Sequence, residues 1–249
     1  MQIFEELIGT LPEGRILSVT IGLFWTAVVA EVGGERRCGL AATFANSEFE
    51  HARQPAVEEP GLLENRSSPE ITRLVFSRSH TETAVGLAAI NALLPPIRDV
   101  VDLTAEDFIS REGAHQRVAV IGHFPFVHRL KDRVKELWVL ELNPREGDLP
   151  ASAAPEIIPR ADILAITATT LINHTFEGIM ACRKPHTKVM LLGPSTPLSP
   201  TLFEHGIDVL SGSIVTDPGA VLPLIRQGAT FRQIRGHGVR LVTLESPPK

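Results

Sequence analysis

A chain of 249 residues, 43% of them hydrophobic, has room for one large domain or two small ones and can bury a substantial core. A formal net charge of −5 and the lack of any basic block argue against nucleic-acid binding, which needs Lys and Arg clustered against phosphate. The two cysteines, Cys38 and Cys182, stand far apart and in no Cys-x-x-Cys pair, which excludes a zinc knuckle and argues against a disulfide framework.

The N-terminus, MQIFEELIGT, carries acids where a secretory signal needs positive charge. The apolar run from Ile16 to Ala30 is interrupted by Ser18, Thr20, Gly22 and Thr26 and is too short to span a bilayer. A cytoplasmic protein without membrane contact is expected. The same run is rich in β-formers and, with RRCGLAATF after Gly33-Gly34, predicts a hairpin. Residues 51–69 are polar and contain three prolines, which predicts a loop. From Thr81 to Leu94 the apolar spacing is helical and ends at Pro95-Pro96; small Gly86, Ala88 and Ala89 predict close packing on the hairpin. Thr104, with Asp107 three residues on, predicts a capped helix ended by Gly113.

After Gly113 the rhythm changes. RVAVIGHF, LWVLELN, ADILAIT, KVMLLGPS and VLSGSIV are short runs, apolar on both faces and separated by helix-compatible segments. Such alternation predicts βαβ units and a Rossmann-like parallel sheet. The fold class is therefore α/β: an α+β domain over residues 1–112, then a Rossmann-like domain over 113–249.

Ligands of an open parallel sheet bind beyond the carboxyl ends of its strands. Those ends hold Gly122-His123-Phe124-Pro125, Glu141, Thr167 with Thr169 and Thr170, Gly193-Pro194-Ser195-Thr196, and the stretch from Gly212 to Asp217. Glu141 lies 19 residues after Gly122, where Rossmann proteins place a ribose-binding acid, although a solvated strand-end carboxylate looks the same in sequence. GHFPFV is a poor pyrophosphate turn: Pro125 removes an amide and Phe124 adds bulk. Thr169 or Thr170 could cap a helix whose first amides face an anion, or could simply cap it, with Asn173 on the same side. His123 reads as a metal ligand or as a hydrogen-bonded turn residue, and Asp148 as a second acid or a turn former. The histidines at 51, 80, 115, 186, 205 and 237 sit in polar contexts and read as surface. No His-x-His or His-x-x-x-His spacing occurs, so the metal ligands are unknown.

GHFPFV, ELNPREGDLP, IIPRADILAITATTLINHT and LLGPSTPLSPTLFEHGIDVLSGSIVTD resemble the signature segments of an uncharacterised prokaryotic family of heavy-metal chelation proteins. The resemblance is close from Arg117 to Asp217 and looser in GLFWTAVVAE and TAVGLAAINALLPP. It implies an enolase N-terminal-like domain before the Rossmann-like one, with the site in the cleft between them. The ligand it implies is a metal chelator or a pterin- or cobalamin-related molecule.

The expected function is an enzyme acting on such a molecule by condensation or hydrolysis, with His123 and Glu141 as acid–base groups. A non-catalytic binding protein for a metal chelate is the alternative. Gly122, Phe124, Pro125, Thr167, Thr169, Thr170, Asn173, Gly193, Pro194, Ser195, Thr196 and Asp217 are the expected ligand contacts, with Trp25 and Thr26 closing the cleft from the first domain. The cofactor is unknown; any metal ion is expected to arrive on a chelating ligand. The expected partner is a small molecule, and a homodimer is left open.

Overall fold

The computed structural model of the protein describes residues 1–44, 55–97 and 100–247. His51 and residues 51–54 of the expected loop lie outside these. Helix α1 (Gln2–Gly9) precedes three antiparallel strands, β1 (Arg15–Ile21), β2 (Trp25–Val32) and β3 (Glu35–Ala42). Gly33 and Gly34, at φ +59° and +83°, make the tight turn between β2 and β3. The apolar run before that turn is two strands rather than one. The Gly22 amide donates to the Trp25 carbonyl at 2.9 Å, and a Cβ at position 22 would come within 2.5 Å of the Ile225 carbonyl oxygen.

Helices α2 (Ser68–Thr72) and α3 (His80–Leu93) follow. α2 starts two residues before the end of the segment read as loop; it is only five residues long, and its start is a capping box between Ser67 and Glu70. α3 is apolar on nearly every side and is buried accordingly. It lies so close to β3 that a Cβ on Gly39 would fall 2.1 Å from the Ala88 carbonyl oxygen. Gly86 instead faces Val75, not the hairpin. Helix α4 (Ala105–Glu112) starts and ends as its sequence predicts: Thr104 Oγ1 accepts from the Asp107 amide, and Gly113 follows the last turn.

The remainder alternates strand and helix: β4 (Arg117–Ile121), α5 (Val127–Leu130), β5 (Glu136–Glu141), β6 (Leu149–Pro150), α6 (Ala154–Ile157), β7 (Ile163–Thr167), α7 (Thr169–Ile172) and α8 (Phe176–Ala181). Then come β8 (Lys188–Leu192), α9 (Thr201–Glu204), β9 (Val209–Val215), α10 (Pro218–Arg226), α11 (Phe231–Arg235) and β10 (Val239–Glu245). The seven strands lie in the order β10-β9-β8-β7-β4-β5-β6. All neighbours are parallel except β10, which returns antiparallel to β9. The sheet expected to be parallel from residue 117 onward therefore ends on an antiparallel strand. Gly212, read as a strand end, lies inside β9. It sits there because a Cβ would meet the Thr196 carbonyl oxygen at 2.9 Å.

The two sheets share one core. A single buried cluster runs from Phe4, Val28 and Leu87 to Leu140, Leu164 and Leu191. Two polar contacts fasten it. Asn91 Nδ2 donates to the carbonyls of Leu40 and Ser195 at 2.9 and 3.1 Å. The Ala42 amide donates to Ser195 Oγ at 2.8 Å. On the far side, Val101 bridges Thr243 of β10 through two backbone hydrogen bonds.

The amino edge of the large sheet is held by charge. Asp162 accepts from the backbone amide, Nε and Nη2 of Arg117, at 2.9, 2.9 and 2.7 Å. These donors hold its carboxyl at about 2, below the usual 3.8. A depressed carboxylate stabilises the fold fully above its unfolded pKa and loses that contribution as pH falls through the folded value. Asp162→Asn should cost about 1 kcal/mol, discounted for the exposure of Arg117. At neutral pH that is a drop of roughly 2–4 °C in melting temperature. The difference from wild type should shrink as pH falls from 3.8 toward 2. Denaturation curves at matched pH values check both statements.

Candidate functional site

Strand order locates the site. From β4 the chain moves outward to β5 and β6, then crosses back to place β7 on the other side of β4. The carboxyl ends of β4 and β7 thus form a topological switch point, where the diverging connections leave a crevice. The chain there is tightly built. Gly122 stands at φ +97°, and a Cβ on it would meet Thr167 Cγ2 at 2.9 Å. A side chain at 122 would suffer both strain and a clash.

A crevice of about 680 Å³ opens over these strand ends. It is lined by Gly122, His123 and Phe124 after β4, by Glu141 to Asn143 after β5, and by Thr167, Thr169, Thr170 and Asn173 around α7. Residues near α6 and α8, Cys182 among them, complete the wall. Phe44, just after β3, is the contribution of the first sheet. Phe44 also packs edge-on against His80, with centroids 5.2 Å apart, and His80 is followed by His174 at 6.5 Å. His80 is thus half-buried beside the crevice rather than on the surface. His205, read the same way, is bonded to Glu6 of α1 at 2.8 Å.

His123 carries a hydrogen-bonded carboxylate. Its Nδ1 lies 2.9 Å from Asp148 Oδ2, and the Asp148 side chain is only 4% exposed. The Arg145 amide donates to the same carboxylate at 3.1 Å, so a turn interaction and a histidine partner coexist in one residue. An aspartate on Nδ1 favours the tautomer with the proton there and leaves Nε2 as an acceptor. Phe124 and Phe126 stack beside this turn, with centroids 5.3 Å apart.

Glu141 is engaged differently from a ribose-binding acid with free oxygens. Oε2 accepts from the His123 amide at 2.8 Å and Oε1 from the Leu142 amide at 2.7 Å. It braces the turn that carries His123, although each oxygen keeps a lone pair for a ligand. Around α7 neither Thr169 nor Thr170 is the cap. The N-cap is Ala168; Thr167 Oγ1 accepts from the Thr169 amide at 3.4 Å, and the Thr170 hydroxyl donates to the Thr167 carbonyl at 2.7 Å. α7 is a single turn, and Asn173 closes it while accepting from the amide and hydroxyl of Thr175. His174, next in the chain, is held at φ +58°, with Nε2 3.0 Å from the Ser77 carbonyl of the first part of the chain.

The remaining candidates lie elsewhere. Pro125 is exposed and does not line the crevice. Gly193, Pro194, Ser195 and Thr196 follow β8, one strand beyond the switch point. Ser195 is 2% exposed and accepts from Ala42 across the two sheets, so its hydroxyl is structural. Asp217 caps α10 through the Ala220 amide at 3.0 Å. Trp25 packs on Phe231 of α11, centroids 5.3 Å apart, and Thr26 is fully buried with its hydroxyl 3.0 Å from that of Thr43. Phe44 reaches the crevice where Trp25 and Thr26 do not. Its only sequence signal is an aromatic side chain placed just past the end of β3.

The donor set does not suit a resident metal ion. Among the described residues no three His, Cys, Asp or Glu side chains converge. Glu141 keeps one lone pair per oxygen beyond its amides and His123 keeps Nε2 beyond Asp148, but these are single donors that no third ligand joins, and Cys182 Sγ points to the Gly178 carbonyl. No described helix is long and apolar enough to cross a membrane.

Fold and crevice define an α/β protein with a mostly parallel sheet and a pocket at its switch point. Residues 105–243 match the model of the DUF364 family and residues 4–94 that of DUF4213, both described as "Putative heavy-metal chelation"; the chain belongs to this family. It is 23% identical over 230 residues to an uncharacterized protein of Methanocaldococcus jannaschii, covering 89% of this chain and 87% of that one. A crystal structure of a DUF364 protein of unknown function from Desulfitobacterium hafniense DCB-2 superposes with a TM-score of 0.79. Its identity to this chain is 27%, with 98% of this chain and 97% of that chain covered. A Pyrococcus horikoshii member of unknown function, 22% identical, superposes at 0.83 over 98% of both chains, a likeness of fold.

The bracing by Glu141 yields a prediction. Glu141→Gln leaves one acceptor and turns an NH₂ toward an amide that donates, which should cost about 1–3 kcal/mol. Hydrogen exchange at the His123 and Leu142 amides should speed up more than exchange in the β4 core. Mass-spectrometric exchange with a parallel thermal melt reads both.

Proposed function

We propose that the crevice binds a small polar, heteroaromatic, metal-chelating molecule of the pterin- or cobalamin-related kind, and that His123 acts there as a general base in a condensation or hydrolysis. The supporting observation is the His123–Asp148 pair. A buried carboxylate on Nδ1 holds the ring in one orientation with its proton on Nδ1 and leaves the Nε2 lone pair free to take a proton from a bound group. In hydrolysis the proton would come from water, in condensation from the attacking ligand group, and the same nitrogen would return it to the leaving group. Glu141 holds the His123 turn in place, and Thr167, Thr169 and Asn173 offer hydroxyl and amide groups to the polar edge of the ligand. Phe124 and Phe44 offer apolar surface to its ring. In this reading residues 1–112 and 113–249 are two units, and Phe44 is the first unit's cover over the site. In this reading any metal enters already chelated, since among the described residues no three protein ligands converge to hold one.

Two measurements test this reading. Protein purified without chelators should hold well under one zinc, nickel or iron per chain by elemental analysis; a stoichiometric metal lost on His123→Ala would overturn the carried-metal reading. Biopterin and its zinc and nickel complexes should bind wild type by calorimetry, and Asp148→Asn should weaken binding by no more than about tenfold. Turnover of the bound ligand, followed by mass spectrometry, should fall by roughly a hundredfold or more in His123→Ala. Binding with no turnover in wild type would favour a chelate-binding protein without catalysis, and no binding of any pterin would overturn the ligand class.

A further inference from the structure

Glu141 is the sole carboxylate among the described residues that line the crevice. Its two oxygens are held by backbone amides from different strand ends, Oε2 by His123 after β4 and Oε1 by Leu142 after β5. Two such bonds fix the plane of the group before any ligand arrives. An ionised carboxylate only accepts, and it has about four lone-pair sites. One site on each oxygen is taken, which leaves two acceptor atoms side by side on a residue of the crevice wall. Two adjacent acceptors of this kind match two parallel N–H donors.

The opposite end of the floor donates. β5 and β7 are the two neighbours of β4, so their ends lie two strand spacings, about 10 Å, apart. At the β7 end the hydroxyls of Thr167 and Thr169 stand 3.0 Å from each other, and both residues line the crevice. One hydroxyl proton closes that pair; among the described residues the other has no acceptor. Between the two ends lies Gly122, which carries no side chain. Read across its floor, the crevice is a double acceptor, a bare glycine and a donor.

We infer that Glu141 determines the specificity of the crevice: its oxygens take a ring N–H and the neighbouring exocyclic amino group of a cyclic guanidine, the edge that a pterin presents, while the Thr167–Thr169 pair donates to a ring nitrogen at the far side. The inference rests on the reading of the crevice as a pterin-type site and narrows it. Each peripheral amide of a corrin sets an oxygen beside its amino group, and that oxygen would face a carboxylate. A pteridine with a carbonyl in place of the exocyclic amine meets the same repulsion.

Pterin and lumazine test this, because lumazine carries a carbonyl where pterin carries the amino group and shares its ring system. Calorimetric titration of the full chain should give pterin a Kd at least about tenfold below that of lumazine. In Glu141→Gln one oxygen becomes an amino group, which matches the N–H and carbonyl of lumazine, so the preference should vanish or reverse. Loss of the brace lowers both affinities together, and the readout is therefore their ratio. Thr167→Val should weaken both ligands and keep the ratio within about twofold of wild type. The comparison of the two ligands on wild type needs no variant and stands should Glu141→Gln fold poorly. Equal binding of both ligands by wild type, an unchanged ratio in Glu141→Gln, or loss of the preference in Thr167→Val overturns the role of Glu141 and leaves the pterin reading intact. Binding of neither ligand overturns that reading and this inference with it.

Discussion

Asn91 governs how the two sheets meet. It sits near the end of α3, a helix buried on almost every face, where a polar amide is tolerated only if its hydrogens are used. They are used on carbonyls of different origin, Leu40 from the small sheet and Ser195 from the loop after β8. Ser195 answers by accepting from Ala42. With these three bonds the meander, the central helix and the parallel sheet form one body with a continuous core. The close approach of α3 to β3 at Gly39 follows from the same arrangement, and so does the position of Phe44, two residues past Ala42.

The crevice depends on that body being fixed. Its floor is set by strand order alone, since any chain that reverses direction around β4 leaves a gap above β4 and β7. What fills the gap is local: a glycine that no other residue could replace, a histidine tied to a buried aspartate, and a glutamate whose oxygens each accept a backbone amide. In this member of a family described by heavy-metal chelation, the candidate crevice is lined by hydrogen-bonding groups, with one histidine paired to an aspartate and, among the described residues, no cage of metal ligands.

Much of the architecture was legible. Runs such as RVAVI and ILAIT, apolar on both faces, can only be central strands of a covered sheet, and each is one. The Thr104 cap and the Gly33-Gly34 turn also read directly, because backbone geometry selects those residue types. β6 could not be read, since two residues carry no period. The direction of β10 could not be read either: VRLVTLE states a strand but not its partner. Strand ends were read rightly for β4, β5, β7 and β8 and too early for β9, and sequence cannot tell which ends face the switch point. GPSTP ends β8 as GHFP ends β4, and only strand order separates a structural serine from a lining histidine. The Glu141 bracing and the His123–Asp148 pair are contacts between loops 18 and 25 residues apart, which pattern does not fix.

The Val101 strap and the two-residue β6 also decide how the molecule can and cannot associate. An open seven-stranded sheet has two borders, each a template for strand addition and for amyloid-like growth. At one border Val101 already occupies the outer amide and carbonyl of Thr243, and Arg240 beside it holds Asp102 at 2.8 Å, which keeps the strap in place. At the other, the last strand is two residues long and its second is Pro150, which has no amide to offer. Extension of the large sheet is therefore blunted at both of its borders, at Thr243 by a strap already in place and at Pro150 by a missing donor.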